Sequence, residues 1–168
     1  LKGCTAAYDL PFEFPSPSRE GMAASAEAYA NAGMRCVLAP MVADISFSAA
    51  IPGLMDELPP HLQQAVGAMR LAPAETTLAA IADVVENWGV DATLVRPAVA
   101  PTIPHHCTDG FLTGCRDIAQ AHGIGLHSHV AESKVQAIAS RRLYGKTLLA
   151  HMDDMGLVGP DFVVAHGV

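Results

Sequence analysis

Apolar and polar positions alternate along this chain with two different periods. Short apolar runs at residues 3–9, 34–40, 91–100, 124–130 and 161–166 predict five strands. Between them, residues 18–31, 58–70, 76–88, 108–122 and most of 133–155 carry the apolar spacing of helices. The run at 3–9 is the weakest strand, although the chain from Leu1 onward already reads as core strand. MRCVLAP at 34–40 is much clearer. Gly33 follows the first helix at the usual glycine position, and His122 with Gly123 suits a helix end, where imidazolium meets the negative pole of the dipole. Pro97 counts against an uninterrupted strand, because proline donates nothing to a central ladder. A bulge or an early strand end is predicted there.

Strands separated by helices in this way make an α/β fold around a parallel sheet. No internal repeat, low-complexity run or flexible linker breaks the chain, which predicts one domain over residues 1–168. Two architectures accommodate five such strands. The first is a partial (β/α)8 TIM-type barrel, since the complete barrel has eight strands and typically about 250 residues; both ends would then fall inside a core. The second is a flavodoxin-like open sheet, a non-catalytic binding or regulatory domain that would be complete at this length. Strand order separates them: sequential neighbours make a barrel wedge, and a reversal such as 2-1-3-4-5 makes the open sheet.

Composition removes other classes. With 51% hydrophobic and 16% charged residues, the chain can bury one sizeable core. A net charge of −7 without a basic stripe argues against nucleic acid as a partner. Arg35, Asp44, Asp83 and Glu86 interrupt the longest apolar stretches well short of the ~18 residues of a membrane span. The four cysteines, Cys4, Cys36, Cys107 and Cys115, form no CxxC pair and read as reduced thiols of a cytoplasmic protein.

The chemistry concentrates in LHSHVAES, residues 126–133. Alternate strand residues share a face, so His127 and His129 point the same way, and Glu132 follows three residues after His129 in the turn. A hydrolytic metal site needs an imidazole to hold the ion and a carboxylate that takes a proton from the attacking water and passes it to the leaving group. A second short apolar strand, Val163-Val164-Ala165, ends in His166. In barrels, such strand ends carry the active site.

These segments resemble the amidohydrolase superfamily, in its deaminase and chlorohydrolase branch. LHSHVAE is similar to the strand-5 signature of a metal-binding histidine followed three residues later by a catalytic glutamate. VVAHGV resembles the strand-6 histidine segment, GCTAAYD the strand-2 segment and AGMRCVLAP strand 3, so the resemblance spans nearly the whole chain. It implies one divalent metal, zinc ahead of iron, held in part by His129, with Glu132 as proton shuttle. His166 would orient the attacking water or the substrate, or in two-metal relatives would be a further ligand. The implied reaction is metal-assisted hydrolysis of C–N or C–Cl bonds in a small heterocyclic substrate. The family's HxH pair on strand 1 and Asp on strand 8 would lie outside residues 1–168. The resemblance therefore implies a piece of an enzyme, inactive by itself, binding zinc poorly and prone to homo-oligomerise through exposed strand edges. Many relatives read Pro-His-x-Pro after strand 4; here Pro101-Thr102-Ile103-Pro104 puts Thr102 at the substrate-touching position.

Other histidines have plainer readings. His127 points one layer deeper, where structural hydrogen bonding is expected ahead of ligation. His61 and His151 are expected on helix surfaces, His105 and His106 on a loop bordering the pocket, and Asp9 either fixing a neighbouring loop or facing the site. A nucleobase deaminase of the Pro-Cys-x-x-Cys type is excluded, because Cys107 and Cys115 are eight positions apart.

Overall fold

A computed structural model describes residues 3–51 and 53–168. Strands β1 (Ala6–Asp9), β2 (Arg35–Leu38), β4 (Val95–Pro101), β5 (Gly125–Val130) and β6 (Phe162–His166) form one parallel sheet in that sequential order. A two-residue strand, β3 (Met41–Val42), continues the course of β2 after Ala39 and Pro40 and pairs with the end of β4. Sequential order is the barrel pattern and excludes the doubly wound alternative. The sheet is a curled segment of a (β/α)8 barrel. Leu1, at the head of the weak first run, lies outside the described residues.

Helices α1 (Arg19–Asn31), α5 (Ala74–Glu86) and α6 (Asp109–His122) cover the outer face of the sheet. Helix α6 starts where the Thr108 side chain accepts from Phe111 N at 3.2 Å, and Asp44 holds Thr108 in turn, accepting from its N–H at 2.8 Å and its hydroxyl at 2.6 Å. It stops at Gly123, whose φ of 61° is open to glycine at little steric cost. Phe111, Leu112, Cys115 and Ala119 form its buried face, packed with Ile81 of α5, Val99 of β4 and Leu126 of β5. Gly114 lets α5 approach closely, since a Cβ there would lie 2.7 Å from Leu78 Cδ1. The inner face is lined near its centre by small residues, Ala39, Ala98 and Ala100, packed against Tyr8, Leu10 and Val37.

Two expectations change. Pro97 neither bulges nor ends its strand: β4 runs through it to Pro101. The carbonyl of Leu94 serves Cys36 of β2, so by alternation the backbone of Pro97 faces β5, and pairing with β5 begins only at Ala98. The missing N–H therefore has no ladder partner to lose. Between β3 and α5 the chain forms three helices instead of one, α2 (Phe47–Ala50), α3 (Leu54–Glu57) and α4 (Pro60–Ala68), none with a buried residue among those described. The last helical stretch divides at Gly145, φ 70°, into α7 (Lys134–Tyr144) and α8 (Leu148–Asp154). Among the described residues, no helix is long and apolar enough to cross a membrane.

Candidate active site

The C-terminal ends of β4, β5 and β6 form one rim, and the ladder between β5 and β6 sets its spacing. His129 pairs with Ala165, and His166 pairs with Val130, a residue of the outer core; His166 leaves the strand pleat with a left-handed φ of 73°, and its ring centroid lies 5.4 Å from that of His129. Glu132, carried past the strand end by the turn, brings Oε1 to 3.8 Å from His166 Nε2. His122, at the exposed end of α6, shortly precedes the start of β5 and so lies at the opposite edge of the sheet, and His61 lies in the first turn of α4. The two backbone positions that shape the rim are strained: Ala131 has φ 56° and His166 φ 73°, both non-glycine residues in the left-handed region.

The chain orients His129 from the residue that follows β4. Thr102 O accepts from His129 N at 2.9 Å and lies 3.3 Å from His129 Nδ1. A carbonyl only accepts, so Nδ1 must carry the proton in this contact, leaving the Nε2 lone pair available. The carbonyl is itself held by the hydroxyl of buried Ser128, whose single proton is shared between Pro101 O at 2.6 Å and Thr102 O at 2.8 Å. Ser128 was not singled out from sequence; a hydroxyl flanked by two strand histidines, on the opposite face, was the available signal. The hydroxyl of Thr102 makes no hydrogen bond to the described residues, and its backbone N–H donates to Val42 O at 2.9 Å.

Deeper on the same face, His127 departs from expectation. It is 5% exposed and, among the described residues, neither ring nitrogen has a hydrogen-bond partner, so it makes no hydrogen bond to its neighbour. It packs against the Tyr8 ring at 4.6 Å, and burial, aided by His129, pushes its pKa down to about 4. An imidazole there stays neutral because charging it would bring no compensating contact. Asp9 is tied to α1, accepting from Tyr29 Oη at 2.9 Å. His151 is not on an open helix surface: its ring stacks on Tyr144 at 3.7 Å and meets Asp109 at 2.9 Å. His106 borders the rim, where burial holds its pKa below the ordinary value although the Glu132 carboxylate pulls it the other way.

A metal ion, implied by the resemblance, finds one prepared donor in His129. Its tautomer is fixed by a carbonyl on the far nitrogen, the usual support of a histidine ligand. Among the described residues no three His, Cys, Asp or Glu side chains gather closely enough to hold an ion. The residues present fit part of a donor set.

A sequential parallel barrel wall with histidines and a carboxylate at its C-terminal rim defines a class of barrel proteins that build their sites from strand ends. Comparison with known proteins gives the family: residues 1–168 match the amidohydrolase family, and the chain belongs to it. A 5-methylthioadenosine/S-adenosylhomocysteine deaminase of Syntrophobacter fumaroxidans is 35% identical over 96 residues, 57% of this chain and 22% of that protein. An 8-oxoguanine deaminase of Pseudomonas aeruginosa is 28% identical across 100% of this chain and 35% of its own length. Among solved structures, an atrazine chlorohydrolase from Arthrobacter aurescens complexed with zinc superposes with a TM-score of 0.76 at 19% identity, covering 99% of this chain and 34% of that one. An adenosine deaminase from Xanthomonas campestris with bound zinc gives 0.72 at 20% identity, covering 98% and 30%. The chain thus spans between about a fifth and a third of the length of these proteins.

Proposed function

We propose that the protein is a metal-dependent hydrolase that deaminates a small heterocycle, with this chain supplying the β5 and β6 half of the catalytic rim. The observation that carries the reading is the arrangement of His129, held in one tautomer by Thr102 O, beside a glutamate three residues on that also approaches His166. A bound divalent ion would lower the pKa of water and polarise the reacting carbon's substituent. Zinc is the preferred ion, in keeping with the zinc-bound relatives, and His129 is the residue of this chain that would hold it.

In this proposal the chain's own groups move the protons. Glu132 takes a proton from water as its oxygen bonds to the ring carbon, then delivers a proton to the leaving amine as the C–N bond breaks; ammonia departs and the ring carbon keeps the oxygen. His166, within reach of the Glu132 carboxylate, orients the water or the substrate. The Thr102 hydroxyl, without a hydrogen-bond partner among the described residues, would contact the substrate as a short neutral group. Deaminases of nucleosides and purines among the relatives support a heterocyclic substrate, and a chlorohydrolase relative extends the bond type to C–Cl.

The test is Glu132→Gln in the full-length, metal-loaded protein. Gln keeps the size but removes the basic oxygen, so turnover should fall by on the order of 10² to 10⁴ while metal content stays near wild type. A variant that keeps most of its turnover would transfer the role to another base, His166 first.

A further inference from the structure

The turn that separates His129 from Glu132 is closed by one side chain from the helix behind it. Gln136, 6% exposed in the first turn of α7, donates from Nε2 to His129 O at 2.9 Å and accepts at Oε1 from Glu132 N at 3.1 Å. Both halves of its amide are used, one on each side of Ala131 and its left-handed φ of 56°. The helix start explains the reach. Ser133 caps α7, its hydroxyl accepting from Gln136 N at 3.2 Å, and a Gln three residues after such a cap normally turns back to the chain just before the helix. Here it reaches one residue past the cap to Glu132 and on to the strand end. Gln136 O is itself fixed, accepting from the buried Ser140 hydroxyl at 2.7 Å, and that hydroxyl lies 3.1 Å from His105 Nε2.

We infer that Gln136 is a positioning residue for the proposed reaction, an amide clamp that sets where Glu132 stands relative to His129 by holding the strained turn between them. The inference rests on the proposed roles of those two residues. Gln136 meets the site only through the backbone of its neighbours. A merely structural glutamine would be replaceable by any side chain of similar volume, whereas a clamp needs a donor on one side and an acceptor on the other.

Three substitutions in the full-length protein separate these cases. Gln136→Leu keeps volume and removes both bonds; it should lower kcat about 10- to 100-fold, as loss of a supporting partner does, with KM nearly unchanged. Gln136→Glu keeps the acceptor for Glu132 N but removes the donor to His129 O, and should recover part of that loss. Gln136→Asn keeps both functions on a shorter stem and should not recover it. Amide hydrogen exchange at Glu132 provides a readout independent of turnover: it should speed up in the Leu variant and stay near wild type in the Glu variant. A Leu variant with wild-type kcat, or a Glu variant no better than Leu in both kcat and amide protection, would overturn the clamp. Glu132→Gln, measured in parallel, keeps the two ideas apart. If it loses turnover while Gln136→Leu does not, only the clamp fails; if it retains turnover, the assignment of Glu132 fails first.

Discussion

His127 and His129 leave the same strand toward the same face, two residues apart, and their surroundings differ in nearly every respect. At the deeper level, between β5 and the Tyr8 ring of β1, the imidazole is buried, has no hydrogen-bond partner among the described residues on either nitrogen and is kept neutral by burial. At the rim, one strand pleat higher, His129 is gripped on its backbone and its ring by the Thr102 carbonyl just past β4, with its other ring nitrogen beside His166. The pleat supplies direction; depth along the strand decides whether polar company is available. Chemistry is carried at the level where neighbouring backbone groups have left their own ladders and can orient a side chain.

The largest effect that would break this contrast is at the rim. His129→Ala should reduce metal content and turnover together, by more than the roughly 10- to 100-fold that loss of an outer supporting partner costs. Metal analysis alongside steady-state rates checks it; full metal with full activity would place the ligand elsewhere.

The deep level should respond in stability. An unpartnered buried nitrogen costs about 1–3 kcal/mol, and lost contact with Tyr8 offsets part of the gain from removing it, so His127→Leu should stabilise the fold at neutral pH by about 1 kcal/mol. It should also flatten the acid side of the stability profile. The unfolded imidazole binds a proton near pH 6.5 and the folded one only near 4. Between those values the unfolded state therefore holds more protons, and stability falls as pH drops through that window and levels off below it. His105 and His106, also lowered by burial, leave a residual slope of the same sign. Urea unfolding across pH 4–7 makes the comparison; an unchanged slope would mean that His127 is not the group responsible.

The smallest effect concerns the strain between the levels and the turn. Ala131→Gly removes a left-handed cost of about 1–2 kcal/mol and adds up to about 1 kcal/mol of chain entropy, for a net gain of about 0.5 kcal/mol. Ala131→Val should move the melting temperature in the opposite direction. If both variants melt alike, the left-handed turn is not maintained in solution.

Much of this was legible in the chain itself. The five apolar runs overlap the five sequential strands, although β4 opens only at Val95, because strands and the helices between them carry different apolar periods. His129, Glu132 and His166 could be brought together on paper, since strand ends at one rim meet whatever their sequence separation. Their roles stay a proposal. Pro97 misled because its effect depends on which neighbour its nitrogen faces, a fact of register and not of composition. The short helices α2 and α3 bury nothing among the described residues, so no apolar period marks them; α2 is started by the Ser46 cap, accepting from Ala49 N at 3.3 Å, and α3 by Gly53 with its left-handed φ of 80°. Gln136 was invisible for a related reason. Its partners are created by a left-handed alanine, which no residue preference announces.

The pairing of β5 with β6 runs from Leu126 opposite Phe162 to Val130 opposite His166. A slip by two residues would carry His166 about 6.6 Å along the strand relative to His129. The ladder is thus a ruler, and the 31 residues between its two rails, 131–161, are not part of the measurement. Helices α7 and α8 can lengthen, shorten or exchange their outward faces over evolutionary time without moving one histidine relative to the other. The exception is the first turn of α7, where Gln136 is bound to the ruler's end. Insertions should be tolerated beyond the first turn of α7 and punished between Ala131 and Gln136.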